Sequence, residues 1–218
     1  MDFIKLYLIN GYVYIQLLPV LIGFIVWKHL DKPYRLFVIL LLYSALNESF
    51  KTYYGTYIVK NQNKILSNLY NIIYFSFLFW LFCKKVNSNV LKKIISIIVT
   101  LYFISIGYEL FYKGMDYHNQ TQVIPFIIGG FGILVCVFYY FVSLLNSKEI
   151  ISIHRNLLFW IAIAHFIYYL GFTPFKIGEN YYASFDKYYY LFDVKVPITF
   201  LKCIILSIGF ICSRQKIQ

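Results

Sequence analysis

Four ionisable side chains, Glu48, Glu109, His165 and Lys202, fall inside long apolar runs of this 218-residue chain. In hydrocarbon such a group costs several kcal/mol unless it is partnered, so it must face other helices or water rather than lipid. A carboxylate, an imidazole and an ammonium gathered between helices can relay a proton, hold a small charged ligand, or simply neutralise one another.

Spacing narrows the choice. In the second run Ser44, Asn47, Glu48, Lys51, Thr52 and Gly55 recur at steps of three and four, which puts them on one helix face. Glu48 and Lys51, three apart, can pair locally, a reading that needs no function. The third run adds Asn68 and Asn71, the fourth Ser105, Tyr108, Glu109 and Tyr112, and the sixth His165 with Tyr168 and Tyr169. At about 1.5 Å of rise per residue, Glu48, Asn71 and Glu109 fall in the outer half and His165 and Lys202 near the middle. The inner half is almost purely apolar. The pattern predicts a polar cavity open to the outside and closed by packed aromatics beneath. Lys202 calls for a carboxylate, and Glu48 is the best-placed one.

The candidate ligand-binding or ion-pathway set is therefore Glu48, Lys202, His165, Glu109, Asn47, Asn71 and Lys51. Each also has a structural reading: His165 as a hydrogen-bonded packing residue, Glu109 as a group solvated near the headgroups, Asn68 and Asn71 as interhelical glue worth about 1 kcal/mol or less. A lysine midway along a seventh helix invites a Schiff-base reading. The third run, however, holds no acidic residue, and Asp193 lies nine positions before Lys202. No HExxH, GxSxG or paired-aspartate pattern occurs, so no catalytic residue is assigned and no cofactor or metal is implied.

The elements that must position these groups are seven apolar runs: Leu6 to Trp27, Arg35 to Tyr57, Ile65 to Cys83, Leu91 to Tyr112, Val123 to Leu145, Asn156 to Phe175 and Tyr190 to Cys212. Each approaches the roughly 20 residues that cross a bilayer as a helix. With 61% hydrophobic and 13% charged residues, the expected fold is an all-α, polytopic membrane protein, one seven-helix domain over residues 1–218. Lys28, Lys32, Arg35, Lys84, Lys85, Lys92, Lys93, Lys148, Arg155, Arg214 and Lys216 cluster on one side, which should be cytoplasmic. The N-terminus is then outside. The net charge of +11 is spent at helix ends rather than on a soluble basic stripe, so no nucleic acid is expected.

The first run is long, lacks a small-residue cleavage site and is expected to remain as a helix. Cys83, Cys136, Cys203 and Cys212 show no metal spacing and read as packing residues. Asn119-Gln120-Thr121 matches a glycosylation pattern too short to weigh. Gln16, Pro19 and Gly23 share their spacing with Gln122, Pro125 and Gly129, which raises a 3+1+3 arrangement with runs one to three and five to seven as parallel repeats, set against chance enrichment in Pro and Gly. Tyr181, Tyr182, Tyr188, Tyr189 and Tyr190 read as an interfacial cover over the outer mouth.

Leu66 to Phe82, Arg155 to Phe172 and Phe200 to Cys212, with the seven-run layout, resemble an uncharacterised group of seven-helix bacterial inner-membrane proteins often encoded near sensor histidine kinases. The resemblance spans nearly the whole chain. It implies a bacterial envelope and a signalling context, and transfers no catalytic residue. The leading functional expectation is a non-enzymatic receptor or signalling module. A small-solute or ion transporter using the intramembrane charges, and a membrane effector or accessory of a bacterial defence system, stand beside it. Expected partners are the lipid bilayer, a cytosolic protein at the basic inner loops, a small ligand from the outer side and a second copy in a homo-oligomer.

Overall fold

The computed structural model describes residues 2–57, 64–118, 120–146, 153–178 and 188–213. They form α1 (Asp2–Ile25), a 3-10 turn (Trp27–His29), α2 (Lys32–Tyr57), α3 (Lys64–Lys85), α4 (Asn89–Gly107) running into a π turn (Tyr108–Tyr112), α5 (Ile124–Leu145), α6 (Leu157–Ile177) and α7 (Tyr188–Ser213). No strand occurs among the described residues. The predicted runs and the observed helices agree to within a few residues, because the charged and Gly/Asn-containing linkers end the apolar stretches.

Each helix packs on its neighbours in sequence, and α7 returns to α1, so the bundle closes as a ring; α3 also reaches α5. Along α3, Tyr74, Phe75, Leu78, Phe79, Leu81 and Phe82 are buried. The outside of the ring is also apolar: Leu21, Ile97, Phe131, Phe138 and Leu170 are exposed. A bundle apolar on both its inner and outer surfaces suits a lipid surround, not water.

Among the described residues, five helical segments are long and apolar enough to cross a membrane: α3, α4 with its π turn, α5, α6 and the Val194–Ser213 portion of α7. Seven were expected. α2 has the length but carries Ser44, Asn47, Glu48, Ser49 and Lys51 together, and the described apolar part of α1 is the shorter Tyr14–Ile25.

The two Pro-Gly elements sit differently in their helices. Pro19 is interior to α1, whereas Pro125 lies in the first turn of α5, where the missing N–H costs nothing. Both glycines mark close approaches: a Cβ at Gly23 would come 2.7 Å from a Val38 methyl, and one at Gly129 2.9 Å from the Phe75 ring. The Asn119 pattern and Tyr181 and Tyr182 lie outside the described residues, as do the side chains of Thr52, Gly55 and Tyr188 to Tyr190.

Candidate functional site

The middle of the bundle holds one hydrogen-bonded chain drawn from three helices. Lys202 of α7 donates to the Tyr74 hydroxyl of α3 at 2.7 Å, and that hydroxyl lies 2.8 Å from Nε2 of His165 on α6. The other ring nitrogen, Nδ1, is 2.7 Å from the Ile161 carbonyl. A carbonyl can only accept, so Nδ1 carries the hydrogen, and Nε2 of the neutral ring accepts from Tyr74. The direction is thus fixed: Lys202 to Tyr74 to His165 to the α6 backbone. The Lys202 ammonium also stands over the rings of Tyr74 and Tyr168, at 4.8 and 4.6 Å from their centroids, contacts that offset part of its desolvation.

Toward the end of the bundle away from the basic clusters, a second polar group sits above this chain. The Glu48 carboxylate is held between Lys51, at 2.6 Å, and Lys195, at 3.0 Å. Lys51 also donates to Ser67 at 3.2 Å, and Ser44 bonds the Tyr70 hydroxyl at 3.0 Å. The Tyr70 and Tyr74 rings, centroids 5.1 Å apart, bridge the two groups. Below His165 the column stops. Phe37 packs 6.1 Å from the imidazole and 6.4 Å from Phe210, with Leu78 and Leu206 completing a layer of fully buried apolar side chains.

The expected Glu48 to Lys202 pair does not form: Glu48 is taken by Lys51 and Lys195, and Lys202 makes no ion pair among the described residues. Lys195 lies two helical turns farther out on α7, about 10 Å from Lys202 along the axis, and so meets Glu48 first. The sequence reading singles out Lys202 on the seventh run and passes over Lys195, five residues inside the expected start at Tyr190. Tyr74, the hub of the central chain, was also missed. Its signal was present in the spacing of Ser67, Tyr70, Asn71 and Tyr74 on one face of α3.

Glu109 belongs to a separate site. The π turn rolls it inward until it is 1% exposed, and its carboxylate accepts from the backbone N–H of Val123 at 3.3 Å and Ile124 at 2.8 Å and from the Tyr117 hydroxyl at 2.9 Å. It therefore caps the start of α5 from outside that helix. Burial and the neighbouring carboxylate push the Tyr117 hydroxyl above the ordinary tyrosine range, so it stays a donor. Asn68 completes this anchor, donating to the carbonyls of Tyr117 and Gln120 at 3.0 and 2.9 Å and accepting from the Gln122 N–H at 2.9 Å. Rather than being solvated, Glu109 is a tie for the α4–α5 connection. Asn47 is buried and Asn71 half-buried on the polar faces of α2 and α3.

The sequence pattern predicts a polar cavity toward the outer end, which includes residues outside the described ones. A cavity of about 500 Å³ lies at the basic end, lined by residues from the α1–α2 and α3–α4 turns, the end of α5, the start of α6 and Ser213. No protein-family model, no curated protein and no solved structure matches this chain.

Proposed function

We propose that the chain is a seven-span membrane protein with its N-terminus outside, acting as a non-enzymatic receptor or signalling module whose sensing element is the polar column. The observation that carries this reading is the blind end of the column. Charged and hydroxyl groups continue from Lys51, Glu48 and Lys195 through Ser44 and Tyr70 to Lys202, Tyr74 and His165, and then meet a dry layer of Phe37, Leu78, Leu206 and Phe210. A pathway for conduction needs polar groups on both sides of the middle; a site that binds and reports needs them on one. The column joins α2, α3, α6 and α7, so an event at Glu48 bears on four helices at once. A ligand or proton that favours one arrangement of those helices over another would be signalled by their shift. In this proposal the basic end is turned to a cytosolic partner, as the sequence resemblance of Leu66 to Phe82, Arg155 to Phe172 and Phe200 to Cys212 would imply.

Single cysteines, introduced after replacing Cys83, Cys136, Cys203 and Cys212, test the column with a membrane-impermeant thiol reagent. Ser44→Cys and Ser67→Cys are expected to label from the face opposite the basic clusters, and Leu78→Cys and Leu206→Cys from neither face. Labelling at 78 or 206, or proton flux in liposomes that Lys202→Ala abolishes, would replace this reading with a transporter.

A further inference from the structure

We infer that the cavity at the basic end is a binding site for a phosphate group. Its volume, about 500 Å³, is that of a small-molecule pocket. Lys85 and Arg155 line it together with the amides of Asn87 and Asn156 and the Ser143 hydroxyl, while Leu144 and Leu157 supply an apolar wall. The single acid on the lining, Asp31, is already engaged by Lys85 at 2.6 Å and is mostly exposed.

Asp31 apart, the described charged residues around the cavity are basic. Lys28, Lys32, Arg35, Lys84, Lys92 and Lys93 occupy the same turns and helix ends, so a concave wall here concentrates positive potential. Helix dipoles do not create this field. α1, α3, α5 and α7 bring their C-termini to this end and α2, α4 and α6 their N-termini, and these opposed contributions largely cancel. The side chains set the charge. The forked guanidinium of Arg155, beside neutral amide and hydroxyl donors and a Lys85 ammonium shared with Asp31, matches a group with several acceptor oxygens and full negative charge. A phosphate has both. The apolar wall accommodates what the phosphate is attached to, whether a soluble ester or a phospholipid whose headgroup enters from the adjoining leaflet.

The test uses the purified full chain in phosphatidylcholine nanodiscs, followed by thermal unfolding. One arm adds sodium pyrophosphate; the other replaces part of the phosphatidylcholine with phosphatidylglycerol. Saturable stabilisation is expected in at least one arm, the soluble arm identifying a free phosphate and the lipid arm a headgroup. Arg155→Gln should weaken it about tenfold, and Lys113→Gln, exposed after the π turn at the opposite end of the bundle, should leave it unchanged. No stabilisation in either arm, or equal loss in Arg155→Gln and Lys113→Gln, overturns the site. Should Arg155→Gln fail to fold, native mass spectrometry of the wild-type chain decides: adducts of pyrophosphate or phosphatidylglycerol at one-to-one stoichiometry support the site, and a featureless ladder of adducts refutes it.

Discussion

Glu48 and Glu109 lie in the same half of the bundle and keep opposite company. Glu109 receives two backbone N–H groups and a phenol, all neutral, and binds a loop to a helix end. Glu48 receives two ammonium groups from different helices. The first arrangement is a fixed brace whose donors have nowhere else to go. The second is a charge balance, and its geometry depends on which lysine is held. An acid inside an apolar run is therefore not one kind of feature; its donors decide whether it stiffens the fold or responds.

Substitutions can break this contrast. Glu48→Leu, which strands Lys51 and Lys195 against each other, should cost about 4 kcal/mol in denaturant unfolding in micelles, and Glu48→Gln nearly as much, because the charge is what is lost. Glu109→Leu should cost about 3 kcal/mol by leaving three donors unmet, but Glu109→Gln only about 1, because an amide oxygen still accepts from the α5 N–H groups. Equal penalties for the two glutamine variants would erase the distinction. Tyr74→Phe removes the group shared by Lys202 and His165 and should cost about 2 kcal/mol, with a change in the His165 ring resonances that a Glu109 variant does not produce. Ser44→Ala, which touches only the Tyr70 hydroxyl, should cost about 0.5 to 1 kcal/mol, the smallest effect in the column.

How far the sequence reached follows the same division. Helix limits were legible because apolar runs and charged linkers fix depth, one residue at a time. The Glu48 to Lys51 contact was legible because it is local, three residues apart on one helix. What depth does not fix is rotation and tilt, and those chose Lys195 over Lys202 as the second partner of Glu48. The role of Glu109 was hidden for a different reason: it depends on a π turn, whose extra residue per turn shifts the face on which Glu109 emerges. No periodic pattern announces that shift.

The distance in sequence between Tyr74 and its partners bears on how the chain is made. When α3 leaves the ribosome, the partners of Tyr74 have not been synthesised: His165 and Lys202 belong to the sixth and seventh helices. Until they arrive, the Tyr74 hydroxyl must be met by water, by a neighbouring hydroxyl or by the insertion machinery. Biogenesis thus ends where the interior is completed, and a chain stopped before α6 leaves a mark that quality-control proteases can read, an unsatisfied phenol on α3.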